Sequence, residues 1–88
     1  MKNWLYPQTV EAIEHACMLF MRGDLEATDL QAALYKAENE IVAYEEQWLR
    51  SLLCDTKNSI EEIIFTESPE RQAASIRLLI FNLLEKIK

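Results

Sequence analysis

The chain is poor in the residues that make turns. It has one glycine and two prolines in 88 positions. β-Hairpins and sandwiches draw on Gly, Asn-Gly and Asp-Gly turns at regular intervals, so a β-rich fold is excluded. Uncharged apolar runs of about 18 residues are also missing, and with them any membrane-spanning helix. The opening has Lys2 alone before Trp4, then Pro7, Glu11 and Glu14, which does not read as a leader. Cysteine is limited to Cys17 and Cys54 and histidine to His15. There is no Cys-x-x-Cys, no Glu-x-x-His and no His pair, so no metal or other cofactor is expected. Cys17 and Cys54 sit among apolar neighbours and read as reduced core thiols of a cytoplasmic protein.

Positive charge is the other scarcity. Nine Lys and Arg stand against fifteen Asp and Glu, a net charge of −6. Residues 24–68 carry eleven acids and three bases, net −8, whereas residues 69–88 carry two acids and four bases, net +2. Phosphate backbones are gripped by Lys and Arg, so nucleic acid is not an expected partner. A helix-turn-helix reading fails on the same ground, because a recognition helix starting near Thr28 would carry Asp29, Glu38 and Glu40 with Lys36. Enzymatic groupings are missing too. Glu45-Glu46 and Glu61-Glu62 are adjacent pairs, and neighbours on a helix diverge by about 100°, so neither forms an acid/base couple on one face. Nothing orients a cysteine against His15 as a nucleophile pair, and there is no Gly-rich phosphate loop. The chain is not expected to be an enzyme.

What is plentiful is apolar residues at helical spacing, half the chain being hydrophobic. The longest pattern runs over Thr28–Leu53. Leu30, Leu34, Ala37, Ile41, Tyr44, Trp48 and Leu52 recur at steps of three and four, which predicts one helix of about 39 Å at 1.5 Å per residue. Thr28 is its expected N-cap, with Gln31 completing a capping box. Trp48 is expected in the core. A second stripe of Tyr35, Val42, Leu49 and Leu53 runs beside the first, with Glu38 and Glu45 between the two. It reads either as contact with a second neighbouring helix or as a docking face.

The remaining elements follow from their caps. Pro7–Arg22 is predicted helical, with Val10, Ile13, Cys17 and Phe20 on its seam and Gly23 as a left-handed stop. Leu5 or Tyr6 would staple back on Val10 or Ala12. Asp55–Asn58 reads as a polar break, followed by a short helix over Ser59–Thr66 whose apolar face is Ile60, Ile63, Ile64 and Phe65. Ser68-Pro69-Glu70 starts a last helix, Pro69–Ile87, with Ala73, Ile76, Ile80, Leu83 and Ile87 on its seam. Leu78 and Phe81 fall off that seam, so they are either further core or a homodimer contact. The whole predicts one all-α domain over residues 1–88: a small antiparallel four-helix bundle of three full helices and one short one.

One resemblance adds a function. The helix ending Met18-Leu19-Phe20-Met21, the turn Arg22-Gly23-Asp24-Leu25, the new helix from Thr28-Asp29-Leu30 and the closing Ile76-Arg77 and Leu83-Leu84-Glu85-Lys86-Ile87-Lys88 resemble the layout of the colicin D-type bacterial immunity proteins. The resemblance implies a four-helix protein that binds a nuclease toxin domain and covers its active site, with acids standing where RNA phosphates would go. The charge argument reaches the same class, since an RNase toxin is basic and a small acidic protein would bind it fast. The expected contacts are Tyr35 as aromatic anchor with Glu38, Glu45, Glu46, Glu61 and Glu62. The competing readings are a helical adaptor, homodimeric through Leu78 and Phe81, and an accessory regulator of a host protein.

Overall fold

A computed structural model describes residues 4–87 and folds them into four α-helices: α1 (Pro7–Met21), α2 (Ala27–Glu40), α3 (Gln47–Thr66) and α4 (Pro69–Ile87). A 3-10 turn, Tyr44–Glu46, precedes α3. The helices pack as a closed ring, α1 on α2, α2 on α3, α3 on α4 and α4 back on α1, in a body of 38 × 21 × 19 Å. Neighbours run antiparallel. Thr9 near the start of α1 donates to Glu40 at the end of α2. Gln72 near the start of α4 donates to the carbonyls of Ile64 and Glu67 at the end of α3. Each helix sends one seam inward: Val10, Ile13, Ala16, Cys17 and Phe20; Leu30, Leu34 and Ala37; Leu49, Leu53 and Ile60; Ile76, Ile80, Leu83 and Ile87. Ile41, just past α2, completes this core.

The two prolines and the glycine act at helix ends. Pro7 and Pro69 each open a helix, where the missing N–H costs nothing. Gly23 has φ +83°. Its N–H reaches the Phe20 carbonyl at 3.0 Å and that of Asp24 reaches Leu19 at 2.8 Å, the paired bonds of a Schellman stop. In α4 the Ser68 carbonyl accepts from Arg71 and Gln72.

The predicted single helix over Thr28–Leu53 does not form. The chain leaves helical geometry at Ile41 (φ −90°, ψ 94°), stays extended at Ala43 (ψ 135°) and folds back as α3. Two local causes weaken the helix there. Ile41-Val42 is a β-branched pair. The last turn of α2 contains Glu38 and Glu40 and no base, the wrong sign for a helix C-terminus. The larger cause is packing. The first stripe supplies the core through Ile41, and the second supplies it from Leu49 onward. A straight helix cannot aim both at one core, since they lie about 120° apart; a reversal can. Trp48 and Tyr44 are consequently 47% and 84% exposed, while Leu49 is fully buried.

The other boundaries shift with this reversal. α2 starts at Ala27 with Glu26 at its cap and no side-chain cap bond, so Thr28 caps nothing. Gln31 reaches instead to the Lys57 carbonyl at 3.5 Å. The polar stretch Asp55–Asn58 is helical, and the short helix expected after it is the second half of the 20-residue α3. Thr56 is buried there because its hydroxyl donates back to the Leu52 carbonyl at 2.8 Å, which satisfies it inside the helix. Tyr6 packs against the core, but Leu5 and Ala12 are exposed. Ala73 is exposed as well.

Candidate functional site

The expected contact residues separate into three groups. The first is a side-chain cluster between α2 and α3. Lys57 Nζ lies 3.1 Å from Glu38 Oε2 and 4.7 Å from the centre of the Tyr35 ring. The spacing follows from the sequence: Tyr35 and Glu38 are three apart on α2 and Lys57 faces them from α3. Burial pushes the Glu38 carboxyl up. Hydrogen bonds from Lys57 and the Cys54 thiol, with the charges of Lys57 and Arg50, outweigh burial and hold it below the ordinary 4.5. Lys57 is raised in turn by its bond to Glu38, against burial. Tyr35 is 56% exposed, yet its ring covers a cation that is already neutralised. Glu38 is thus a structural partner of Lys57 and not an open acid.

The second group lies at the end of the bundle where α2 turns into α3. Glu46, expected at a partner surface, is only 6% exposed. Its Oε2 accepts the Leu5 N–H at 2.7 Å, and its Oε1 is buried without a hydrogen-bond partner among the described residues. Nearby, Trp4 and Trp48 stack at 5.7 Å with planes tilted by 35°. Glu46 is drawn inward because the turn beneath it must meet the incoming N-terminal segment, whose free amide needs an acceptor. Glu45, next in the same turn, points to solvent, as do Val42 and Tyr44.

The third group forms the opposite end. The α1–α2 and α3–α4 reversals both lie there, because consecutive helices alternate in direction. This end brings together Asp24, Glu26 and Asp29 from one reversal with Glu61, Glu62, Glu67 and Glu70 from the other. Its bases are Arg22, paired to Asp24 at 3.3 Å, and Arg71. Glu67 accepts the Ser75 hydroxyl at 2.6 Å. Glu61 and Glu62 are exposed and form no ion pair among the described residues. They diverge by about 100° on α3, so they widen the acidic rim and do not share one spot. At this end, Phe65 is the side chain that sequence reasoning misplaced. Assigned to an apolar face with Ile60, it is 81% exposed. The signal was present: five helical steps put Phe65 about 140° from Ile60.

Among the described residues, no group of three or more His, Cys, Asp or Glu is placed to hold a metal ion. His15 is exposed in a shallow, open depression on α1 with Glu11, Glu14 and Met18. Cys17 is buried, and burial together with the charge of Glu14 pushes its thiol up to about 12, so it is not a nucleophile at neutral pH. Cys54 is a free, half-buried thiol. No described helix is long and apolar enough to cross a membrane. No family model matches the chain, and no curated protein or solved structure matches it.

Proposed function

We propose that this chain is an immunity-type binding protein that inhibits a basic partner, a nuclease toxin domain, by docking its acidic end onto the partner's cationic surface. One observation carries the reading: seven acids from two separate reversals share an end with, among the described residues, a single ion pair and an 81%-exposed phenylalanine. Unpaired acids there need no desolvating partner within the chain, so they remain available to Lys and Arg. An exposed aromatic inside an acidic rim is the arrangement that gives fast encounter from charge and slow release from burial. Glu61 and Glu62 keep the role expected for them, and Phe65 replaces Tyr35 as the anchor. Glu45 lies at the other end, exposed in the turn ahead of α3.

The test is co-expression with the product of the gene beside this one, assayed for toxicity. Glu61→Lys/Glu62→Lys is expected to weaken binding at least about tenfold, roughly 1.4 kcal/mol, and to flatten its salt dependence. Phe65→Ala is expected to lose about 1–2 kcal/mol through a faster off-rate. Full protection by the folded double variant at native expression would rule this end out. A neighbouring gene product without a cationic surface would rule out the class.

A further inference from the structure

The outer face of α4 carries a second apolar seam. Arg71, Ala74, Leu78, Phe81 and Glu85 follow one another at steps of 3, 4, 3 and 4, and all five are exposed, Leu78 by 64% and Phe81 by 52%. At about 100° per residue this stripe lies opposite the inward seam of Ile76, Ile80, Leu83 and Ile87. α4 is therefore apolar on two sides, and its own bundle covers only one of them. Three- and four-residue spacing is the pattern by which one helix packs along another.

We propose that the seam is covered by α4 of a second copy, in an antiparallel two-fold pair. The charges specify both occupant and direction. Arg71 stands seven residues before Leu78 and Glu85 seven after it. With Leu78 near the two-fold axis, an antiparallel partner brings its Glu85 level with Arg71 and its Arg71 level with Glu85, giving two opposite-charge pairs at the ends of the apolar stretch. A parallel partner would set Arg71 against Arg71 and Glu85 against Glu85, which like-charge repulsion disfavours. The same antiparallel register lays Phe81 of one copy within a residue of Ala74 of the other, where a methyl side chain leaves room for a ring. A two-fold contact closes on itself and does not propagate. The seam is one helix wide, so the dimer belongs with the small, weak interfaces. It uses none of the acids assigned to the toxin partner except through the proximity of Arg71, and it stands or falls independently of that function.

Sedimentation velocity of the full chain, from micromolar to about half-millimolar, reads the association directly, weak interfaces of this size being populated toward the upper end. A monomer-to-dimer transition is expected for the wild type. Leu78→Glu and Phe81→Glu, both at exposed positions and checked for helicity by circular dichroism, are expected to abolish it. Arg71→Glu alone and Glu85→Arg alone each oppose like charges twice and are expected to weaken dimerisation about tenfold. Arg71→Glu/Glu85→Arg together restore the pairs with signs exchanged, and are expected to return association to within about threefold of wild type. A monomer at every concentration overturns the proposal, as does dimerisation indifferent to Leu78→Glu and Phe81→Glu. A double swap that fails to restore association overturns the antiparallel pairing and points to a head-to-tail contact of α4 with the acidic end of another copy.

Discussion

The two ends of this bundle use their carboxylates differently. Where α2 turns into α3, acids hold the chain together: Glu46 is buried and takes the Leu5 amide, Glu40 accepts from Thr9, and Glu38, a turn away, is locked to Lys57. Where the other two reversals meet, Glu61 and Glu62 face solvent and their side chains bond to none of the described residues. Local charge density is high at both ends, so density alone does not mark a binding surface. The proposed docking end differs in having acids that the fold does not use.

Substitutions at the two ends should therefore differ in kind. The largest effect is expected from Leu49→Ala, which opens a cavity just below the junction and should cost about 2–5 kcal/mol in urea unfolding. Its neighbour Trp48, half exposed and resting on Trp4, should cost about 1–2 kcal/mol as Trp48→Ala. A Trp48 loss as large as that of Leu49 would mean that the junction packs the other way round.

Next comes Lys57→Met. Because the ion pair is mostly shielded, with side chains 21% and 14% exposed, its loss at pH 7 should cost about 1 kcal/mol. The depressed Glu38 contributes stability above its ordinary 4.5, lost as pH falls through its lowered value. The raised Lys57 contributes below 10.5, lost as pH rises through its own higher value. The gap between Lys57→Met and wild type should therefore narrow in acid, once Glu38 is protonated, and persist through neutral pH. Urea midpoints at both pH values give the comparison; a gap that stays constant in acid would show that the pair does not carry it.

Glu46→Gln should have a smaller effect of opposite sign. The amide oxygen still accepts from Leu5, while the buried charge, with one oxygen unpartnered among the described residues, is removed. A slightly higher urea midpoint is expected, and a marked fall would show that the charge itself is needed at the junction. The smallest change is expected at the acidic end. Glu61→Lys/Glu62→Lys should move stability by no more than about 0.5 kcal/mol, which makes its predicted loss of toxin binding a clean measurement.

How much of this was legible in the sequence depends on the element. α1 and α4 were readable nearly to the residue, because each has an unbroken inward seam and opens on a Pro. For the proposed site, the sequence carried the charge and not the placement. The acidic middle of the chain was visible as a count, but Glu38 and Glu46 are removed from the surface by Lys57 and by the Leu5 amide, partners far away in sequence. Phe65 was visible in principle from its angle on the helix and was hidden by its apolar neighbours.

By itself, then, the sequence determined that the chain is helical, where α1 and α4 begin and end, and that its acids outnumber its bases through the middle. Spacing, caps and composition are local quantities, and those outcomes depend on local quantities. Only the tertiary structure decided where the long apolar run breaks, which of its two stripes is core at each point, and which acids are left over. Those outcomes turn on which surfaces face each other after the chain has reversed. A helix with two stripes has two equally good local answers, and the shared core selects between them.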